Sequence, residues 1–133
     1  MSGRDEPTDQ PKPVRWLGGS KEDLSGFPGA VRKRVGGALW KAQVGEKATY
    51  AKPLKGFGDA GVVEVVVDFD GDAFRLVYTV RFAKAVYVLH AFQKKSNRGV
   101  TTPKAELSLI DRRLKQARED YEQWSRGAGS ESR

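Results

Sequence analysis

Residues 62–92, VVEVVVDFDGDAFRLVYTVRFAKAVYVLHAF, predict three consecutive β-strands. The first strand is built largely from β-branched residues, which favour extended backbone. The Asp70-Gly71 pair after it is a hairpin turn signal, and short connections of this kind join antiparallel neighbours. The last two strands are apolar on both faces, which indicates that other elements pack on each side. The predicted strands are 62–67, 73–80 and 85–92.

The segment before this meander is typical of an amphipathic helix. Pro28 suits its first turn, and Gly45 suits the position just after its last turn. Two adjacent glycines, Gly36 and Gly37, lie inside the helix and cost about 1 kcal/mol each relative to alanine. We expect close packing against another element to compensate. The apolar positions at helical spacing are Val31, Val35, Leu39 and Ala42.

A long helix is predicted after the meander. Thr102 is a good N-cap and Pro103 a good first helical residue. Apolar residues then follow at spacings of three and four over about five turns, which predicts one buried face. These residues are Leu107, Ile110, Leu114, Ala117, Tyr121 and Trp124.

The N-terminal region contains two weaker signals. Residues 14–17 could form a short first strand. Ser20 is a candidate N-cap for a turn that follows, with Asp23 in the position of a capping box. Residues 1–13 and 126–133 are predicted to be flexible tails around one folded domain at 14–125. The expected fold class is α+β, with N-terminal helices and a C-terminal helix packed on a small antiparallel, twisted sheet.

Composition limits the possible functions. The 133 residues carry a formal net charge of +7, which attracts polyanions. No run approaches the roughly 20 apolar residues of a membrane span, and we expect a cytoplasmic protein with no membrane partner. Cysteine is absent and there is one histidine, so the usual zinc ligands are lacking and no metal or other cofactor is expected.

Four motifs, in this order and spacing, resemble those of the RelE/ParE toxin superfamily, and more closely those of its HigB-type, phage-related branch. The resemblance covers about residues 24–117, most of the predicted folded unit, and implies a RelE-like fold. The motifs are Lys52–Gly56 (KPLKG), Phe74–Tyr78 (FRLVY), His90–Lys95 (HAFQKK) and Thr101–Pro103 (TTP).

The resemblance implies a toxin of a type II toxin–antitoxin pair. Such toxins are typically ribosome-dependent mRNA endonucleases that use no metal. The implied partners are a cognate helix-turn-helix antitoxin, the ribosome and mRNA, with operator DNA contacted only through the antitoxin. An alternative is a non-catalytic protein of the same fold, either a gyrase inhibitor or a phage protein that binds RNA or the ribosome.

His90 is the candidate general acid or base, because an imidazole titrates near neutral pH. The alternative is a histidine that only makes local hydrogen bonds at a strand end. Arg75 alternates with Phe74 and Leu76, so its side chain should leave the opposite face of the strand. The resemblance implies that Arg75 binds the scissile phosphate. An ion pair with Glu64 or Asp68 of the neighbouring strand is the alternative.

The remaining candidates are cations. Lys94 and Lys95 could neutralise phosphate or assist proton transfer, and they complete the predicted catalytic set. A solvated loop pair is the alternative for these two, and solvated surface charges or loop-shaping residues are the alternative for the rest. The candidates for contact with RNA or the ribosome are Lys52, Lys55, Arg98, Arg112 and Arg113.

Overall fold

The computed structural model describes residues 10–94 and 102–131, with side chains described as far as Gly127. Five strands and three helices follow one another along these residues, and the predicted α+β class is confirmed. The elements are β1 (Val14–Trp16), α1 (Ser20–Ser25), α2 (Gly29–Gln43), β2 (Ala51–Pro53), β3 (Val62–Phe69), β4 (Asp72–Thr79), β5 (Val86–Lys94) and α3 (Lys104–Glu131).

The five strands form one sheet in the order β1-β5-β4-β3-β2. The predicted antiparallel meander is present as β3, β4 and β5. The expectation of a purely antiparallel sheet was wrong, because β1 pairs with β5 in parallel. Strand β2 was not predicted; it is three residues long and adds an antiparallel edge to β3.

The Asp70-Gly71 turn fixes the register of the β3–β4 hairpin. Both residues have positive φ, 55° at Asp70 and 84° at Gly71. Left-handed conformation at both central positions matches the twist of a two-residue hairpin, and Asp-Gly adopts it at low cost. Phe69 therefore pairs directly with Asp72.

Two hydrophobic cores cover the two faces of the sheet. On one face, α2 packs on alternate residues of β3 and β4, among them Val65, Leu76 and Tyr78. On the other face, α3 packs on Val77 and Leu89. Because β4 and β5 lie in the middle of the sheet, they supply side chains to both cores, as their two apolar faces predicted.

The predicted helical stripes largely match these cores. All four apolar positions predicted for α2 are buried, and Ala38 joins them. On α3, Ile110, Leu114 and Ala117 are buried. Tyr121 and Trp124 pack against them half-buried, while Leu107 is half-buried at the start of the helix. The Gly45 φ of 84° confirms the expected end of α2.

Both predicted N-caps were wrong. Helix α1 begins at Ser20 itself, and the buried Ser20 hydroxyl donates to the Val88 carbonyl at 3.4 Å. Helix α3 begins at Lys104, and the buried Thr102 hydroxyl donates to Glu64 at 2.8 Å. In each case a buried hydroxyl bonds across the fold instead of to its own helix.

Residues just outside 14–125 take part in backbone hydrogen bonds and in α3, while the limits of the domain stay a prediction. The Lys12 amide donates to the Gln43 carbonyl at 2.9 Å, and the Val86 amide donates to the Pro13 carbonyl at 3.0 Å. Helix α3 continues to Glu131. Within the described ranges, no helix combines the length and the apolar character needed to cross a membrane.

Candidate active site

The candidate site lies on the sheet face covered by α3. Along β4, Phe74, Leu76 and Tyr78 point toward α2, so Arg75 and Val77 point toward α3. This confirms the predicted side of Arg75. Tyr78 is core, as its spacing indicated, and burial raises its pKa to about 12.

A β-bulge directs His90 to the same face. Val77 pairs with His90 while Tyr78 pairs with Val88, so Leu89 is an extra residue without its own partner on β4. An extra residue shifts the alternation of side chains by one. Without the bulge, His90 would share the α2 face with Val88. With it, His90 lies beneath α3.

Two residues of α3 hold the His90 ring. Nε2 lies 2.6 Å from Oε1 of Glu106, and Nδ1 lies 3.4 Å from Nη1 of Arg113. Because a guanidinium can only donate, Nδ1 accepts and the ring proton sits on Nε2, facing Glu106. Arg113 also donates to the Leu89 carbonyl at 2.9 Å, and Phe92 stacks on the His90 ring at 4.7 Å. His90 is 7% exposed.

Arg75 forms the second polar group of this face. Its Nη1 donates to Oε2 of Glu64 at 2.9 Å, and the same carboxylate oxygen accepts from Thr102. Arg75 is 3% exposed. The ion pair with Glu64, which the sequence left as an alternative, is therefore present. The phosphate-binding role of Arg75 stays a prediction.

The other predicted cations are spread more widely. Lys94 is half-buried opposite Ala73, on the face of Arg75 and His90. Lys52 is exposed on β2, and Lys55 is exposed in the loop after it. Arg112 is exposed on α3, whereas Arg113 is half-buried and its guanidinium faces His90. Contact of these two residues with RNA or the ribosome stays a prediction. Lys95 and Arg98 lie outside the described residues.

Sequence reasoning missed the acidic partners. Glu106 comes four residues before Ile110, so it continues the buried stripe of α3 by one turn. An acid on an apolar stripe was the available signal for a buried partner. Glu64 was considered only as a pairing alternative, and Thr102 only as a helix cap.

An open depression of about 420 Å³ reaches His90 from the α1 side. Residues 90–93 of β5 form one wall, and Phe27 and Gly26 contribute to the other. Glu22 and Asp23 also line it, so a phosphate group entering here meets two carboxylates and needs cations to hold it. Across the described part of the chain, no three His, Asp or Glu side chains gather in a way that could hold a metal ion.

Comparison with known proteins identifies the family. The family model described as phage-derived protein Gp49-like matches residues 22–115, which is more than two thirds of the chain and includes all of the candidate site residues described above. No curated protein matches significantly. Among solved structures, the toxin–antitoxin complex RelBE2 from Mycobacterium tuberculosis is similar at 21% identity and a TM-score of 0.41, covering 68% of this chain and 100% of that one. The chain thus belongs to the phage-derived Gp49-like family, a RelE-type toxin family, as its four motifs indicated.

Proposed function

We propose that this protein is the toxin of a type II toxin–antitoxin pair and inhibits translation by cutting mRNA on the ribosome without a metal. Family membership supports the toxin role. The similar Mycobacterium tuberculosis protein was solved as a toxin–antitoxin complex, which fits an antitoxin partner for this chain as well. The proposed antitoxin is a helix-turn-helix protein, as the sequence resemblance implies.

The placement of His90 between Glu106 and Arg113 is the observation that carries the catalytic part. In metal-free RNA cleavage the ribose 2′-hydroxyl attacks the adjacent phosphate and loses its proton to a base. Nδ1 of His90 is the free acceptor once Arg113 turns to a substrate phosphate. The Glu106 carboxylate then stabilises the imidazolium that forms, as a carboxylate does in other histidine pairs. Lys94 is the cation on the same face that could protonate the leaving 5′-oxygen.

A pulse of expression followed by mapping of mRNA 5′ ends tests this function. We expect growth arrest and new ends within translated codons for the parent. His90→Gln, which keeps a donor toward Glu106 but cannot take up the proton, should abolish cleavage and relieve arrest. Lys84→Ala removes an exposed lysine away from the site and serves as the matched control. Cleavage by a folded His90→Gln variant at the parental rate would remove His90 from the mechanism.

A non-catalytic protein of the same fold is the second candidate. The burial and carboxylate pairing of both Arg75 and His90 favour it, because both side chains are already bonded to groups of the protein in this arrangement. A gyrase inhibitor would induce the DNA-damage response and leave mRNA intact. A phage protein that only binds RNA or the ribosome would leave growth unaffected.

A further inference from the structure

The outer face of α2 is a basic feature that the candidate site leaves unused. We name it the α2 outer face and define it by Lys33, Gly36, Gly37 and Trp40, with Arg34 and Lys41 beside them. The first four recur at i, i+3, i+4 and i+7, so they form one ridge about 10 Å long on the side away from the core. Trp40 is 51% exposed, the most exposed of the large hydrophobic residues described.

Packing within the chain does not account for this ridge. A Cβ at Gly36 would meet nothing within 4 Å, and one at Gly37 would meet only the Tyr50 hydroxyl at 3.4 Å. The expected internal packing against the two glycines is therefore absent at Gly36. What remains is a stretch of bare helix backbone beside an exposed indole, which an external group can approach closely.

The charged side chains of α2 itself all have one sign. Helix α2 contains four cations and no Asp or Glu, and three of the cations lie toward its positively polarised N-terminal end. Arg34 stacks on the Tyr50 ring at 3.8 Å, which fixes its guanidinium beside the ridge. Lys41 reaches Glu46 at 3.5 Å on the surface. Cations near the N-terminal end do not favour the helix itself, so this end of α2 is suited to an anionic partner.

We propose that the α2 outer face binds RNA, with an unstacked base on Trp40 and the flanking phosphates on Lys33, Arg34 and Lys41. An exposed aromatic ring between cations is the usual means of holding single-stranded nucleic acid. An acidic peptide would satisfy the cations but would leave the exposed indole without a matching planar group. The inference deepens the proposed function, since it adds an RNA contact far in sequence from His90.

Binding of a short fluorescent oligouridine RNA, followed by anisotropy over a range of salt concentrations, tests the proposal on the free protein. We expect Trp40→Ala to weaken binding about tenfold. Lys33→Ala should lower the slope of log affinity against log salt by about 0.7, the contribution of one phosphate contact. Phe69→Ala, which removes another exposed aromatic at 41% exposure, and Lys84→Ala are the matched controls and should bind like the parent.

Three results would overturn the proposal. They are parental affinity in Trp40→Ala, an equal loss in Phe69→Ala, and equal Trp40-dependent binding of poly(L-glutamate), which would reassign the face to an acidic protein partner. Cleavage is not needed in this assay. A parent that binds RNA through Trp40 but leaves mRNA intact would refute the proposed nuclease and leave this inference standing.

Discussion

At the scale of single residues, the polar layer under α3 depends on two carboxylates that accept hydrogen bonds from buried side chains. The Glu64 side chain is 13% exposed, and its carboxylate accepts hydrogen bonds from both Arg75 and Thr102. Glu106 is one third exposed and serves His90. Removing one member of a buried pair leaves the other charge without compensation, which costs more than the pair itself contributes.

This asymmetry yields a prediction for Arg75. Arg75→Ala should lower the free energy of unfolding by about 3 to 5 kcal/mol, because the largely buried Glu64 carboxylate then has no cation beside it. Replacing Arg75 and Glu64 together by Met should recover most of that loss. Urea unfolding of the two variants beside the parent provides the measurement. Equal destabilisation in the single and double variants would show that the ion pair is not what Arg75 contributes to the fold.

At the scale of elements, local signals in the sequence correctly predicted those features that depend on residues close to one another in the chain. The α3 stripe, the Asp70-Gly71 hairpin and the Gly45 helix end all rest on neighbours within a few residues. The parallel pairing of β1 with β5 joins residues about 70 positions apart, and no local pattern specifies it. The bulge at Leu89 also has no local pattern that specifies it, because a bulge exists only in the pairing of β5 with β4.

The same distinction holds for the candidate site. The sequence identified His90 and Arg75 by residue type, yet their burial depends on Glu106 and Glu64, which come from other elements. Ser20 and Thr102 are residue types that often cap helices. Here their hydroxyls instead donate hydrogen bonds to groups distant in sequence, the Val88 carbonyl and the Glu64 carboxylate. The ion pair of Arg75 with Glu64, one of the alternatives that the sequence left open, forms between neighbouring strands.

The glycines of α2 give a prediction about helix stability. Gly36→Ala should raise the free energy of unfolding by about 1 kcal/mol, because a Cβ there meets no other atom and alanine loses less backbone entropy. Gly37→Ala should gain less, since its Cβ would contact the Tyr50 hydroxyl that donates to the Arg34 carbonyl. Thermal melts of the two variants compare them directly. A destabilised Gly36→Ala would mean that this position is packed after all.

The attachment of α3 to β1 gives a prediction about pH. Arg15 donates to Asp120 at 2.8 Å, and this hydrogen bond holds the pKa of the Asp120 carboxyl below its usual value. A depressed carboxyl pKa stabilises the fold above the unfolded-state pKa, near 4, and that stability is lost as pH falls through the folded pKa. Burial raises the pKa of the neighbouring Tyr87, so its contribution is lost only at strongly alkaline pH.

Asp120→Asn should therefore remove part of the acid sensitivity. Below pH 4 the parent and the variant should converge in stability, and at pH 7 the parent should be more stable by about 1 kcal/mol or less, because the pair is partly exposed. Urea midpoints measured across this pH range test the difference. Asp111→Asn, in an exposed pair with Lys115 on the same helix, is the control and should change little.

At the scale of the whole molecule, one sheet separates two cores that take side chains from the same strands. Leu76 and Val77 are consecutive on β4 and enter opposite cores, and Val88 and Leu89 do the same on β5. Pulling α3 away would expose one face of strands whose other face is packed against α2. We therefore expect a single cooperative unfolding transition over both cores.

Two tryptophans allow this expectation to be tested core by core. Trp16 packs against the α2-side core and Trp124 against the α3-side core, whereas Trp40 is exposed. One variant keeps only Trp16 and another keeps only Trp124, with Phe in place of the other tryptophans, so that the fluorescence of each variant reports one core.

Leu76→Ala and Ile110→Ala each remove a fully buried side chain from one core and should each cost about 2 to 5 kcal/mol. If the molecule unfolds as one unit, either substitution moves the Trp16 and Trp124 midpoints in urea by the same amount. A Trp124 midpoint that shifts alone in Ile110→Ala would instead show that α3 detaches before the sheet unfolds.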